Sequence, residues 1–289
     1  LELTELTVET QPSLTLPWEE IILMPIGDIQ HGAQGVDIPK LKRHVQWGVD
    51  NNAYFTGLGD YIDVASPSGR QKFRNAGFYD TVEGGLDKHV ITLMDDLKRA
   101  LEPSIGRWLT LNKGHHWWPF TKNAPDGYAG RDTDELLAEF LECPVTDDMG
   151  SAITQLKFRN QTGKRARTCQ VWQWHGEGSG QTMAAPLNRL EKAMARWQTV
   201  DIFLIGHYSR KVGYPVDCPV PTFGKTPRLR DQRRILACTG GFMRSYQAGG
   251  RASYVEKAGM NPTNVGGVLI KIRPVHTATE DRIDLSIEA

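Results

Sequence analysis

Short apolar runs alternate with amphipathic stretches through the first half of the chain. Residues 19–26 (EEIILMPI), 53–58 (AYFTGL) and 107–111 (RWLTL) are brief apolar runs bounded by turn residues, and each reads as a buried strand. Between them, 37–51 reads as a helix capped by Asp37 with Pro39 in its first turn. A longer helix over 86–101 places Val90, Leu93, Met94, Leu97 and Leu101 on one face, and Glu102 before Pro103 stops it. Residues 133–143 are helical. The pattern then changes. Residues 153–159 and 166–174 are strand-like on either side of NQTGKR, a hairpin signal. An amphipathic helix over 186–198 carries Leu187, Leu190, Met194 and Trp197 along one stripe. Residues 201–205, 211–216, 234–238, 267–272 and 284–287 are strand-like. Strand–helix alternation followed mostly by strands predicts a layered α/β sandwich. Residues 1–18 read as a polar tail or edge segment. With no repeat and no Gly- or Ser-rich linker, 19–289 reads as one domain.

Composition narrows the function classes. The 289 residues include eight Trp, nine Phe and eight Tyr, so enough apolar surface exists to exclude disorder as the main state. Thirty-four basic residues balance thirty-four acidic ones, which argues against a dedicated duplex-DNA coat, because such a coat needs excess cations. Local basic patches remain compatible with neutrality. No run approaches the ~20 apolar residues of a membrane helix, and the opening residues lack the basic start and apolar core of a signal peptide. Cys143, Cys169, Cys218 and Cys238 form no CxxC pair and read as reduced thiols, so a cytoplasmic location without membrane contact is expected.

The chemistry is concentrated just past the end of each apolar run. The first leads into Gly27-Asp28-Ile29-Gln30-His31, the second into Gly59-Asp60-Tyr61-Ile62-Asp63, and the third into Lys113-Gly114-His115-His116-Trp117. The hairpin ends at Trp174-His175-Gly176, and the strand over 201–205 at Gly206-His207-Tyr208-Ser209. Five times a strand delivers Asp or His at its C-terminal tip beside a glycine. Strand tips of α/β sheets are where ligand sites assemble. Glycine permits the close turns, and carboxylates with imidazoles are the donors of divalent-metal sites.

In this order the blocks resemble the calcineurin-like metallophosphoesterase superfamily, whose pattern runs Asp-x-His, Gly-Asp-x-x-Asp, Gly-Asn-His-Asp/Glu, His, Gly-His-x-His. The resemblance spans Gly27 to Ser209 and is nearest to a phage-type branch. It implies an α/β fold, a two-layer β-sandwich flanked by helices, with two metal ions and in-line attack by a metal-bound hydroxide on a phosphate ester. Carried over by position, Asp28 binds the first metal, Asp60 bridges both, and His175 and His207 bind the second. His116 becomes the catalytic histidine and Asp63 its orienting carboxylate.

Three ligand positions depart from the pattern. Gln30 and Ser209 stand where the first metal would have imidazoles, and His115 stands where the second would have Asn. Trp117 replaces the acid after the catalytic His. A first site of Asp28, Gln30 and Asp60 is expected to hold Mn²⁺ or Mg²⁺ loosely. A second, of Asp60, His115, His175 and His207, is expected to bind Mn²⁺, Fe or Zn²⁺ tightly. Mn²⁺ is favoured overall. Two replacements for the missing ligands are open, His31 through a register shift and Asn112 through a remodelled loop. His44, His89 and His276 read as surface residues.

The segments 66–79 (SPSGRQKFRNAGFY) and 117–128 (WWPFTKNAPDGY) directly succeed site blocks and combine basic and aromatic residues, which suits base stacking or plain loop packing. Arg210 is placed to clamp a phosphate. The expected function is a metal-dependent phosphoesterase, with a nucleic acid or nucleotide favoured as substrate. The alternative is a catalytically weakened relative that binds nucleic acid or protein. Oligomeric state leaves no mark in the sequence.

Overall fold

The computed structural model describes residues 9–10, 13–77, 79–178, 180–222, 226–246, 252–257, 259, 261–262, 264–278 and 280–289. Two short strands open it, β1 (Glu9–Thr10) and β2 (Leu14–Pro17), followed by β3 (Ile21–Ile26), α1 (Ile38–Asp50) and β4 (Tyr54–Gly57). Two helices, α2 (Pro67–Ala76) and α3 (Asp80–Leu101), lead to β5 (Trp108–Leu111) and α4 (Thr133–Phe140). The hairpin β6 (Ser151–Arg159) and β7 (Ala166–Trp174) precedes α5 (Ala184–Arg196) and β8 (Ile202–Ile205). A long hairpin, β9 (Val212–Thr222) and β10 (Arg228–Cys238), the short α6 (Tyr254–Lys257), and β11 (Leu269–His276) with β12 (Asp281–Glu288) complete it.

The strands form two sheets. One runs β12-β11-β3-β4-β5, with β3, β4 and β5 parallel. The other runs β1-β6-β7-β8-β10-β9, with β2 also on β6 and with β7, β8 and β10 parallel. The apolar runs are buried on both faces, as parallel strands covered by two layers must be: all four residues of β5 and of β8 are buried. Leu23, Leu58, Leu156, Val171, Leu204 and Ile270 fill the space between the sheets. Val45, Val90, Met94 and Leu97 pack α1 and α3 on the outer face of one sheet, and Leu190 and Ala193 pack α5 on the other. The architecture is therefore two sheets face to face with helices outside, a mixed α/β sandwich.

The elements differ from the sequence reading in several places, of which three bear on the site and its surroundings. Pro67–Ala76 form a helix, α2, capped by the Ser66 side chain, which accepts from Gly69 N–H at 3.1 Å. α3 begins at Asp80, six residues before the start expected at 86. The strands expected at 211–216 and 234–238 extend into a hairpin of two eleven-residue strands. His44, expected at the surface, is half-buried, with its Nε2 covered and its ring edge-on against Phe242 at 5.7 Å between centroids. Among the described residues, no helix is long and apolar enough to cross a membrane.

Candidate metal centre

The C-terminal tips of β3, β4, β5, β7 and β8 lie at one edge of the sandwich, and the loops after them interlock. Asp28 N–H donates to Gly59 O at 3.0 Å, Gln30 N–H to Asp60 O at 2.8 Å, and His31 N–H to Tyr61 O at 3.0 Å. Holding these loops so close requires unusual backbone. Of the nine non-glycine residues at positive φ among the described residues, five are Asp28, Gln30, Asp60, His207 and Ser209. Each such residue costs on the order of 1–3 kcal/mol, which is tolerated where the surroundings over-determine it. Beneath the tips a buried polar network ties the two sheets together. Gln173 on β7 donates to Asn112 Oδ1 at 2.8 Å and to Gly57 O at 3.1 Å, and it accepts from the Thr56 hydroxyl at 2.5 Å.

Among the described residues, one group of His, Cys, Asp and Glu side chains is gathered tightly enough to hold a cation. It comprises Asp60, His115, His175 and His207, with one donor atom of each within 4.8 Å of the others. Asp60 is buried and accepts through Oδ1 from the backbone N–H of His115 at 2.6 Å and of His116 at 3.1 Å. Its Oδ2 lies 3.4 Å from His175 Nε2. Burial alone would raise the Asp60 pKa, but the His175 charge and the hydrogen bonds outweigh it and hold the carboxyl well below its usual range.

The imidazoles are oriented by their far nitrogens. His175 Nδ1–H donates to Leu58 O at 2.5 Å, and His207 Nε2–H donates to Gly178 O at 2.6 Å. Each bond fixes the tautomer and leaves the other nitrogen a bare lone pair in the neutral ring. His175 Nε2 lies 2.9 Å from His115 Nδ1. That spacing is bridged either by one shared proton or by a cation that both nitrogens ligate, beside the carboxylate. Burial disfavours the His175 imidazolium, but Asp60 and then Asp28 overcome this and lift its pKa to about 9. Burial and the neighbouring His175 charge push His115 down to about 4, so it is a neutral donor at pH 7. One carboxylate and three imidazoles thus fit a divalent transition-metal ion.

Beside this group stands His116. Its Nδ1 lies 2.8 Å from Asp63 Oδ1, and its Nε2 lies 3.9 Å from Asp60 Oδ2. Burial opposes the charge on His116, but the Asp63 hydrogen bond and the Asp60 field prevail and raise its pKa.

Of the other candidate residues, Asp28 is buried next to the group but faces the β8 loop: Oδ1 accepts from His207 N–H at 3.1 Å, and Oδ2 from Ser209 N–H at 3.0 Å and its hydroxyl at 3.2 Å. Gln30 joins the site edge through its backbone bond to Asp60 O. His31 stands outside the four-residue group, with its Nε2 buried and without a hydrogen bond and its ring within reach of the Asp96 charge. The Asn112 amide is taken up by Gln173 and by Gly150 O at 2.9 Å, so it supports the site from below. Arg210 donates to Pro262 O at 2.7 Å and to Asn261 O at 3.4 Å, which ties it to that backbone.

Four further residues support the site through contacts that the sequence reading did not assign. Gly114 packs so closely on Asp60 that a Cβ would overlap both its backbone nitrogen and Oδ1. Lys113 and Asp134 anchor the same loop to α4: Lys113 Nζ reaches Asp132 at 2.7 Å and Glu135 at 3.0 Å, and Asp134 accepts from Gly114 N–H at 3.3 Å. Arg70 on α2 donates to His115 O at 2.7 Å. A basic residue and a glycine beside the His pair were visible signals. The partners on α2 and α4 were not.

No family model matches the chain, and no curated protein matches its sequence. Among solved structures, it aligns with the calcineurin-like phosphoesterase YfkN from Bacillus subtilis at 12% identity and TM-score 0.36, over 94% of this chain and 91% of that one. A predicted phosphoesterase from Streptococcus pneumoniae aligns at 10% identity and TM-score 0.32, over 92% and 88%. Vacuolar Protein Sorting 29 from Cryptosporidium parvum aligns at 10% identity and TM-score 0.33, over 94% and 99%.

Proposed function

We propose that the chain is a calcineurin-like, metal-dependent phosphoesterase acting on a phosphodiester or phosphomonoester, with a nucleic acid or nucleotide favoured. The observation that carries this reading is the convergence of Asp60, His115, His175 and His207 from both sheets, with the His116–Asp63 pair alongside. These four residues form the tight cation position, suited to Mn²⁺, Fe or Zn²⁺. Asp28 and Gln30 border a weaker, oxygen-rich one suited to Mn²⁺ or Mg²⁺. The cation supplies Lewis acidity when bound, which offsets phosphoryl charge and acidifies water.

The chain's own groups do the rest. Asp60 is clamped by two backbone N–H groups and presents its second oxygen to the centre. Asp63 holds His116 by Nδ1 and stabilises its protonated form, which turns Nε2 into a proton donor for the leaving ester oxygen. The decisive experiment is hydrolysis of bis-p-nitrophenyl phosphate by the Mn²⁺-loaded protein. Turnover is expected, and His116→Ala and Asp60→Asn should each lower kcat at least ~100-fold, the usual scale of a general acid. No turnover with Mn²⁺, Mg²⁺, Fe²⁺ or Zn²⁺ would sink the proposal. That outcome would favour the second reading, a weakened binding module, for which the engagement of both Asp28 oxygens by residues 207–209 speaks.

A further inference from the structure

The corner between α2 and α3 adjoins the metal centre through Arg70. Its guanidinium donates to His115 O and lies 4.7 Å from the Trp117 ring centroid. Arg70 also lines a pocket of about 70 Å³ whose walls are Phe73, Leu86, Trp118 and Pro119, with Glu83 in the lining. The Trp118 ring is fixed there, because its Nε1–H donates to the buried Asp87 at 3.0 Å. Phe73 is 39% exposed, and Tyr79 and Val82 on the same corner are 85% and 44% exposed. Of these, Phe73 lines the pocket and offers an exposed ring beside the site. A cavity of about 70 Å³ is too small to enclose a nucleobase, but the exposed Phe73 ring in its wall, beside a guanidinium, suits a flat, π-rich group with a phosphate attached: the ring stacks on the phenyl face and the cation faces the charge.

We infer that this wall of the pocket is the subsite for an aromatic ester group of the substrate, a nucleobase or aryl ring, and that Arg70 orients the attached phosphate toward the centre. The placement of that phosphate rests on the phosphoesterase reading. The ring's binding does not, so the two are tested apart. Tryptophan fluorescence of the Mn²⁺-loaded chain is titrated with thymidine 5′-monophosphate and with glycerol 3-phosphate. The nucleotide should bind about tenfold more tightly, the scale of one stacked base; Phe73→Ser should erase most of that difference, whereas Arg70→Ala should weaken both ligands and leave it. In turnover, Phe73→Ser should raise KM for bis-p-nitrophenyl phosphate more than for methyl p-nitrophenyl phosphate. Equal affinity of the two ligands, or a preference that survives Phe73→Ser, overturns the subsite and leaves the corner to a protein partner or to plain packing. A preference lost in Phe73→Ser without any hydrolysis by the parent chain upholds the subsite and refutes the hydrolase.

Discussion

Gly114 lacks a side chain because Asp60 occupies the space one would need. Gly59 is constrained in the same way: its φ is 86°, and a Cβ there would lie 2.5 Å from His175 Nδ1. Small residues thus bring the β4 and β5 loops together until two backbone N–H groups reach one carboxylate oxygen. Gly114→Ala should push Asp60 off that seat. The expected result is a fold retained by circular dichroism, Mn²⁺ binding weakened at least ~10-fold in equilibrium dialysis, the scale set by loss of an oriented ligand, and activity lowered further still. Unchanged Mn²⁺ affinity would show that Asp60 does not need this seat. At this scale the sequence was readable for the donors, since Asp and His beside Gly at strand tips are local signals. It was not readable for Arg70, whose partner is a backbone carbonyl forty-five residues away.

α4 is the element that holds the His115–His116 loop. Its N-terminus carries a capping box, with Asp132 and Glu135 closing on each other's backbone, and Lys113 bridges both side chains. Lys113 and Asp132 are almost buried, at 12% and 9% side-chain exposure. Although burial alone would lower the Lys113 pKa, its two acidic partners raise it, so the ammonium is retained. Burial, and then Asp132, lifts Asp134 to about 7, so this carboxyl is partly neutral at physiological pH. Lys113→Met would leave Asp132 charged, buried and unpaired, a change worth about 3 kcal/mol. Urea denaturation should show that loss; a midpoint within error of the parent would assign the bridge no net value. α2 is the counterexample of legibility. Its start and stop signals are present in Ser66, Pro67 and Gly77, the last at φ 62°. It lacks an apolar stripe, so periodicity missed it, and the Arg70 bonds to Ala65 O and His115 O dock it instead.

Across the whole molecule, the four donors come from both sheets: Asp60 and His115 lie just beyond β4 and β5, and His175 and His207 just beyond β7 and β8. A cation held there would cross-link the sandwich at one edge, while the Gln173–Thr56–Asn112 network holds the sheets together beneath it. Removing the metal should therefore lower stability without unfolding the chain. A cation present at 1,000 times its Kd contributes about 4 kcal/mol, so chelation should lower Tm by on the order of 10 °C for a chain of this size. Differential scanning calorimetry with and without chelator tests this, and an unchanged Tm would mean that no cation bridges the sheets. The order of strand tips and the identity of their donors came from the sequence alone, because apolar period, turn glycines and adjacent chemistry are all local. Only the tertiary structure decided which donors meet. Sheet stacking brought His115 against His175, turned Asp28 toward the 207–209 loop, left His31 outside and bound Asn112 into the supporting network, since each of those outcomes depends on neighbours far away in the chain.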